Sequence, residues 1–427
     1  MKENFEENEF DAIIVGSGTS GATIARELSK QKKKVLILER GGDAPLKENL
    51  VGIVAIADEV GLGDDRLSTV RAITTGGSTA LYFGVVNYPQ ADTFRAAGID
   101  ISKELETVRK ELPIAQVPDE ILGTQAKKLR ESATALGHSW QKNDMLIDLS
   151  KCASGYSYEA KWKARSYVEE AVREGAILIN RATVRRIIIE NNVAIGVEYR
   201  IKKNFFRSEA KRVYAAKIIL AAGELASPKI LRDSGVKGVG GRGFYCNPGY
   251  AIYGLIPGLN GTSSFVGSMS CIYEDGIELG DANIPQPLHR PMMLGGMKLR
   301  HLFSYPESLG IGVKVKDDLG GVLKDDGRFF KVFDREDRLR LSKGKQEAVK
   351  ILQKAGAKNI IDFGLTAAGR VGGLIRIQEH LDEKLETQYR NLYVCDGSVI
   401  PDDMRGTPTL TLICLGRYLS KHLLSSY

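Results

Sequence analysis

Phe10 to Val15 reads FDAIIV, an unbroken apolar run rich in β-branched residues, as expected of a strand buried on both faces of a parallel sheet. From Ala22 the period lengthens, and Ile24, Ala25 and Leu28 fall on one face of a helix that reaches Lys30. Lys34 to Glu39, KVLILE, is again an apolar strand. The three together have the size of one βαβ unit, about 30 residues. Residues 90–150 are charged and helix-like, with a break at AQVPDE and a second helix through Leu129. Ser166 to Glu174 predicts another helix, and Ala176 to Asn180 a strand. Lys217 to Ser227, KIILAAGELAS, is a strand running into a turn. Between residues 245 and 385, IGVKVKD, GGVLKDDG and FFKVFD are short strand-like runs with turn residues between them, as in an antiparallel sheet. Lys343 to Ala355 has the spacing of an amphipathic helix. A strand at NLYV and a helical tail close the chain.

The pattern predicts an α/β chain, α+β overall, in two intimately joined domains. A chain of 427 residues is too long for one ordinary domain. The first domain is discontinuous, from residues 1–90, 170–245 and 386–427; residues 91–169 form a helical connecting segment and 246–385 a second, antiparallel-sheet domain that takes the substrate.

Charge changes this picture little. Sixty basic and 53 acidic residues are interleaved, for a net charge of +7. That describes a mildly basic solvated surface, without the clustering a nucleic-acid interface needs. The five cysteines are widely spaced and form no CxxC or finger pattern, so neither a disulfide framework nor a metal site is expected. The acidic N-terminus has no apolar signal-like core, and no apolar run reaches the length of a membrane helix, about 18 residues. A cytoplasmic protein acting on a small molecule, with no membrane span, is the expectation.

Chemistry enters at the first turn. Gly16-Ser17-Gly18-Thr19-Ser20-Gly21 follows the first strand at once and opens the helix. Gly16 permits the tight turn, Gly18 lets the backbone approach a pyrophosphate, and Gly21 lets helix and strand pack closely. The helix N-terminus offers unsatisfied N–H groups and a positive dipole end to phosphates. Glu39 ends the second strand where a carboxylate accepts from ribose hydroxyls and repels a 2′-phosphate. A dinucleotide site is therefore expected at Gly16, Gly18, Thr19, Ser20, Gly21, Glu39 and Arg40.

Three further segments recur in order: Thr74-Thr75-Gly76-Gly77-Ser78-Thr79-Ala80, then Ala222-Gly223-Glu224-Leu225-Ala226-Ser227-Pro228, then Asn391-Leu392-Tyr393-Val394-Cys395-Asp396-Gly397-Ser398-Val399-Ile400-Pro401 with GTPTLTL behind it. With the first motif they resemble the glucose-methanol-choline (GMC) oxidoreductase family, over both ends and the middle of the chain. The stretch 155–176 looks like its compact bacterial and archaeal members related to long-chain-alcohol oxidases. The resemblance implies noncovalent FAD. Gly76, Gly77 and Ser78 would lie along the pyrophosphate and flavin, Val184 would meet the adenine by its backbone, and Ala222 and Gly223 would line the cofactor. Asp396 and Gly397 would sit by the ribityl chain, although Asp396 also reads as a strand-end carboxylate capping a turn. Thr407, Pro408 and Thr409 would face the flavin.

The departures concern catalysis. The family supplies a His from an HPxGT-like segment and a His or Asn near the final proline loop. Here Thr366 and Thr407 stand near those places, and His138, His289, His301, His380 and His422 all lie elsewhere. A threonine hydroxyl exchanges hydrogen bonds and is no general base near neutral pH. Tyr82 stands near the usual flavin-side Asn. Arg370 is expected near the flavin, stabilising an anionic reduced flavin or an oxyanion, with a surface ion pair as the alternative reading. Three explanations stay open: another proton acceptor (His289, His301, Asp402, Asp403 or Tyr82), a reaction that needs no strong base, or a flavoprotein with little redox work. His289 and His301 also read as structural residues, Asp402 and Asp403 as a turn and helix cap, and Met292, Met293 and Met297 as core fillers or an adaptable apolar pocket. The electron acceptor is open.

Overall fold

The computed structural model describes residues 10–63, 67–153, 155–202, 208–239, 242–274, 276–367, 371–402, 404 and 406–426. Strand β1 (Phe10–Val15) leads through helix α1 (Thr19–Lys30) to β2 (Val35–Leu38) and α2 (Leu50–Ile56). Helix α3 (Arg165–Arg173) precedes β3 (Ile177–Ile179), β4 (Ala182–Glu190), β5 (Val193–Lys202), β6 (Ser208–Leu220) and α4 (Ala226–Asp233). Next come β7 (Pro248–Leu255), β8 (Met269–Glu274), β9 (Ile277–Asp281), α5 (Gln286–Gly295), β10 (Ser308–Val315), α6 (Arg335–Lys354) and β11 (Asn359–Ala367). Strand β12 (Leu392–Val394) and helix α7 (Thr409–Ser425) follow.

The first sheet runs β3-β2-β1-β6-β5-β4, with β12 added beside β6. Its heart is parallel: Ile13 is in register with Leu36 and Ile218, and Ile219 with Tyr393. β1 and β2 are buried along nearly their whole length because α1, α3 and α7 cover the sheet, which explains their unbroken apolar runs. The first half of the long β6 instead pairs antiparallel with β5. One strand thus joins a Rossmann-like core to an antiparallel meander, and strands from the start, middle and end of the chain meet in it.

The second sheet is antiparallel, in the order β11-β7-β10-β9-β8, and ends on a short strand, Gln141–Lys142. Helix α6 packs on one face, where Leu341, Ala348, Ile351 and Leu352 meet Ile252, Ile277, Ile311 and Val313. The helix starts at Arg335, eight residues ahead of the sequence-based start at Lys343. The Asp334 carboxylate caps it by accepting from Asp337 N at 2.7 Å, and the charged first turns hide this start from an apolar-period reading. IGVKVKD supplies part of β10, as expected. GGVLKDDG and FFKVFD do not join this sheet: Gly321–Leu323 and Phe329–Phe330 pair with each other and with Arg242–Phe244 in a separate three-stranded sheet. Phe244 and Phe329 sit in a small core of their own there, so alternation marked the strands without naming their partners.

Candidate functional site

The glycine loop sits at the carboxyl ends of the parallel strands. Gly16 takes φ +102°, and a Cβ on it would collide with the carbonyl of Ala221 on the neighbouring strand. A Cβ on Gly21 would collide with the carbonyl oxygen of Gly16, so α1 approaches the turn after β1 closely there. Gly18 differs. It precedes α1, and a Cβ there would meet nothing within 4 Å. No atom of the described residues demands a glycine at this position, which leaves open space in front of the helix N-terminus.

The carboxylate of Glu39 organises the loop. Its Oε2 accepts from Ser17 N at 3.0 Å and Ser17 Oγ at 2.6 Å, and its Oε1 from Gly41 N at 2.6 Å. Ser17 Oγ in turn accepts from Gly76 N at 3.1 Å. The second glycine segment is therefore clamped onto the first, with Gly76 at φ +85° and Gly77 against the backbone of Gly18. Three donors leave a carboxylate with about one acceptor site free for a ligand hydroxyl. Ser78 Oγ accepts from Ala72 N, Ser20 Oγ donates to Leu412 O on α7, and Thr19 opens α1. Val184 lies on β4, buried beside the core, two residues after the point where Ala182 N reaches Glu39 O at 2.8 Å. Arg40 turns outward: with Arg71 it binds Asp58, at 2.9 and 2.8 Å. Burial pushes the Asp58 carboxyl up, but the hydrogen bonds and charges of both arginines outweigh it and hold the group below the usual range.

Asp396 is buried, and the protein itself occupies its oxygens. Oδ2 accepts from Gly223 N at 2.9 Å and Ser227 Oγ at 2.5 Å, and Oδ1 from Ser398 N at 2.9 Å and Ser398 Oγ at 2.5 Å. It ties the turn after β6, with Ala222 and Gly223, to the turn after β12 at Gly397, which is the capping alternative. Burial raises its pKa against these donors. Sequence reasoning passed over Glu224 in the same turn. Its Oε2 lies 3.1 Å from where a Cβ on Gly397 would stand. Burial, then the neighbouring Asp396, push its carboxyl up, against its own backbone N–H and Arg71.

The residues expected to do chemistry lie at the junction with the second sheet. Thr407 N donates to Asn87 Oδ1 at 2.7 Å and Thr407 Oγ1 to Val85 O at 2.6 Å, so Asn87, missed in the sequence, holds the loop ahead of Pro408 and Thr409. Thr366 stands on β11, its hydroxyl donating to Ser68 O at 3.4 Å. Tyr82 is corrected. Its phenol donates to the carbonyl of Trp162, and burial pushes its pKa up, so it is no proton acceptor. Arg370 and Asp403 lie outside the described residues. His289 is buried in α5 with Nε2 3.2 Å from Ser308 Oγ, and burial lowers its pKa to about 4. His301 belongs to a short turn, 299–301, after that helix. Asp402 lines a separate hollow with Thr93, Gly373 and Arg376. All five cysteines are free and buried.

One row of cross-strand neighbours runs over the face of the second sheet opposite α6: Thr366, Gly249, Lys314, Glu278 and Ile272, each in register with the next. Lys314 and Glu278 form an ion pair at 3.3 Å. They line a half-open recess of about 50 Å³ with Met404 and Gly406, next to Thr407, and with Asn247. Asn247 is 8% exposed. Its left-handed backbone (φ +43°) is fixed because Asp317 accepts from Cys246 N and Asn247 N, at 3.0 and 2.8 Å, and is itself neutralised by buried Lys331 at 3.0 Å. Glu278 is the one carboxylate among the described residues that line this recess.

With the geometry in hand, three comparisons bear on it. The GMC oxidoreductase family profile matches residues 10–244. An uncharacterized GMC-type oxidoreductase of Mycobacterium tuberculosis is 28% identical over 254 residues, 53% of this chain but only 39% of that protein, so the match spans well under half of that relative. An uncharacterized protein of Methanocaldococcus jannaschii is 24% identical over 97% of this chain and 100% of its own. Among solved structures, pyridoxine 4-oxidase from Mesorbium loti superposes with a TM-score of 0.69 at 15% identity, over 98% of this chain and 100% of that one, a likeness of fold.

Proposed function

The chain belongs to the GMC oxidoreductase family, and from that premise we propose that it is an FAD-dependent oxidoreductase taking hydride from a CH–OH group of a small organic substrate. The observation that carries this reading is the space in front of Gly18, where a glycine stands with no protein atom to require it, beside Glu39 at the end of β2. A pyrophosphate fits there, held by the loop from Gly16 to Gly21 and the N-terminus of α1. Glu39 would take the adenosine ribose, Val184 the adenine, and the turns at Gly76 to Ser78, Ala222 to Gly223 and Gly397 the rest of an extended cofactor. The N-terminal end of α7 at Thr409 would face the flavin. When bound, the flavin supplies the hydride acceptor.

The chain's own residues would orient the alcohol and take its proton. A general base needs hydrogen-bond reach of the hydroxyl. The carboxylate of Glu278 is the proton acceptor we assign, steadied by Lys314, with the amide of Asn247 donating to the substrate oxygen and Thr366 on the same sheet face. Thr407 acts through the loop that it and Asn87 hold in place. A second reading, reduction of an electron-poor carbonyl or alkene by reduced flavin, is favoured by the absence of any histidine from the recess lining. An anaerobic visible spectrum of the yellow protein separates the two. Bleaching by one member of an alcohol and polyol panel supports oxidation, and admitting oxygen then shows whether it is the acceptor. Failure of every donor, with reoxidation of reduced flavin by carbonyl or enone acceptors, would replace the first reading with the second.

A further inference from the structure

Helix α2 buries little of itself. Leu50 is 46% exposed, Val51 78% and Val54 67%, and the helix leans on α5. In the last turn of α5 and beyond it, Leu294, Met297, Leu299 and Phe303 are also exposed, Met297 and Phe303 at 85% and 75%. With the two helices in contact, the groups bring seven exposed apolar side chains to this side of the molecule, more than the scattered single residues a solvated surface carries. Its charge is one-sided. Residues 282–306 contain no Asp or Glu. Arg290, Lys298 and Arg300, together with Lys47 just ahead of α2, form no ion pair among the described residues; Arg290 stacks on the ring of Phe303 at 4.7 Å. Of the two acids ahead of α2, Asp43 pairs with Arg165 at 2.9 Å and Glu48 turns inward to Tyr156 and Lys161, at 2.5 and 3.0 Å.

We propose that this surface docks on an anionic lipid bilayer, with Val51, Met297 and Phe303 entering the acyl boundary and Lys47, Arg290, Lys298 and Arg300 meeting lipid phosphates. Apolar side chains rimmed by basic ones bind such a surface by burial and by charge together. A second copy is the poorer occupant, because a twofold contact would bring the same cations face to face. The inner side of α5 carries Met292 and Met293 onto Tyr253, Leu255 and Ile361 of the second sheet. The docked face thus lies on the outside of the layer whose sheet bears the recess. The proposal does not depend on the redox reading, since it concerns only where the protein sits.

Co-sedimentation of the full chain with phosphatidylcholine vesicles, with and without phosphatidylglycerol, tests it. Binding is expected to require phosphatidylglycerol and to weaken as salt is raised. The variant Met297→Ser with Phe303→Ser should bind at least about tenfold more weakly, because it removes two of the apolar side chains that enter the bilayer. Arg290→Gln with Lys298→Gln and Arg300→Gln should lose most of the salt dependence. These side chains are exposed, so circular dichroism should show the variants folded. No binding to either vesicle, or equal binding by wild type and both variants, would overturn the proposal. So would a dimer in light scattering that Val51→Glu dissolves.

Discussion

The turn between β1 and α1 and the recess beside Gly406 are built on opposite plans. At the turn, Ser17, Glu39, Gly41 and Gly76 satisfy one another, and Asp396 does the same for the turns after β6 and β12. Polar groups here hold backbone in position before any ligand arrives. In the recess, Glu278 and Lys314 share one ion pair facing open space, beside the side chain of Asn247. Preorganised backbone suits a cofactor that stays, and polar side chains lining open space suit a substrate that comes and goes, because they can exchange water for a ligand's polar groups. The contrast predicts that damage to the first region empties the protein of flavin, whereas damage to the second leaves it yellow and slow.

The largest effect should come from the two glycines of one loop. Gly18→Val should fold, since nothing lies within 4 Å of its Cβ, yet purify colourless. Gly21→Val should not fold, because its Cβ would enter the carbonyl of Gly16. Absorbance near the flavin band and a thermal melt read both. A yellow Gly18→Val protein would break the cofactor side of the comparison. Next comes Glu278→Gln, which keeps the volume and removes the base. Stopped-flow flavin reduction by the best donor should slow by about 10²–10⁴-fold, with the flavin content unchanged. Reduction at the wild-type rate would remove Glu278 from the chemistry while leaving the cradle intact.

The cradle was legible in the sequence for a local reason. FDAIIV, the glycine spacing and KVLILE lie within one unit, and each residue's job follows from its neighbours in the chain. The recess was not, because it is made by register. Thr366, Gly249, Lys314 and Glu278 stand in one row although more than a hundred residues separate Thr366 from Gly249. Alternation tells which face a strand residue takes and nothing about which strand lies beside it. Asn247 gave no signal at all: its role rests on Asp317 and Lys331, seventy and more residues away. Glu224 did give one, a carboxyl inside an otherwise small-residue turn at the end of a buried strand.

The second sheet's layer also holds the protein's clearest pH liability. His289 is buried, its pKa lowered to about 4 by burial. A base whose folded pKa lies below its unfolded value of about 6.5 binds more protons when unfolded. Its contribution is therefore fully present above that value and is lost as pH falls through about 4. Denaturant melts should show up to about 3 kcal/mol of this loss, at 1.36 kcal/mol per unit. His289→Asn should flatten that part of the profile, and an unchanged slope would show that another group titrates there.

The smallest effect sharpens the boundary of the cradle. Arg40 follows Glu39 in the sequence, yet its guanidinium faces outward to Asp58 and shares that carboxylate with Arg71. If Arg40 belongs to the surface, Arg40→Ala removes one exposed ion pair, a change of about 0–1 kcal/mol in stability. Arg71 still holds Asp58, so the carboxylate is not left alone. Flavin affinity, from titration of the apoprotein, should then stay within about threefold, the equivalent of well under one kcal/mol. A loss of tenfold or more would mean that the guanidinium swings from Asp58 to the cofactor phosphates on binding, and the cradle would gain a mobile member among its fixed ones.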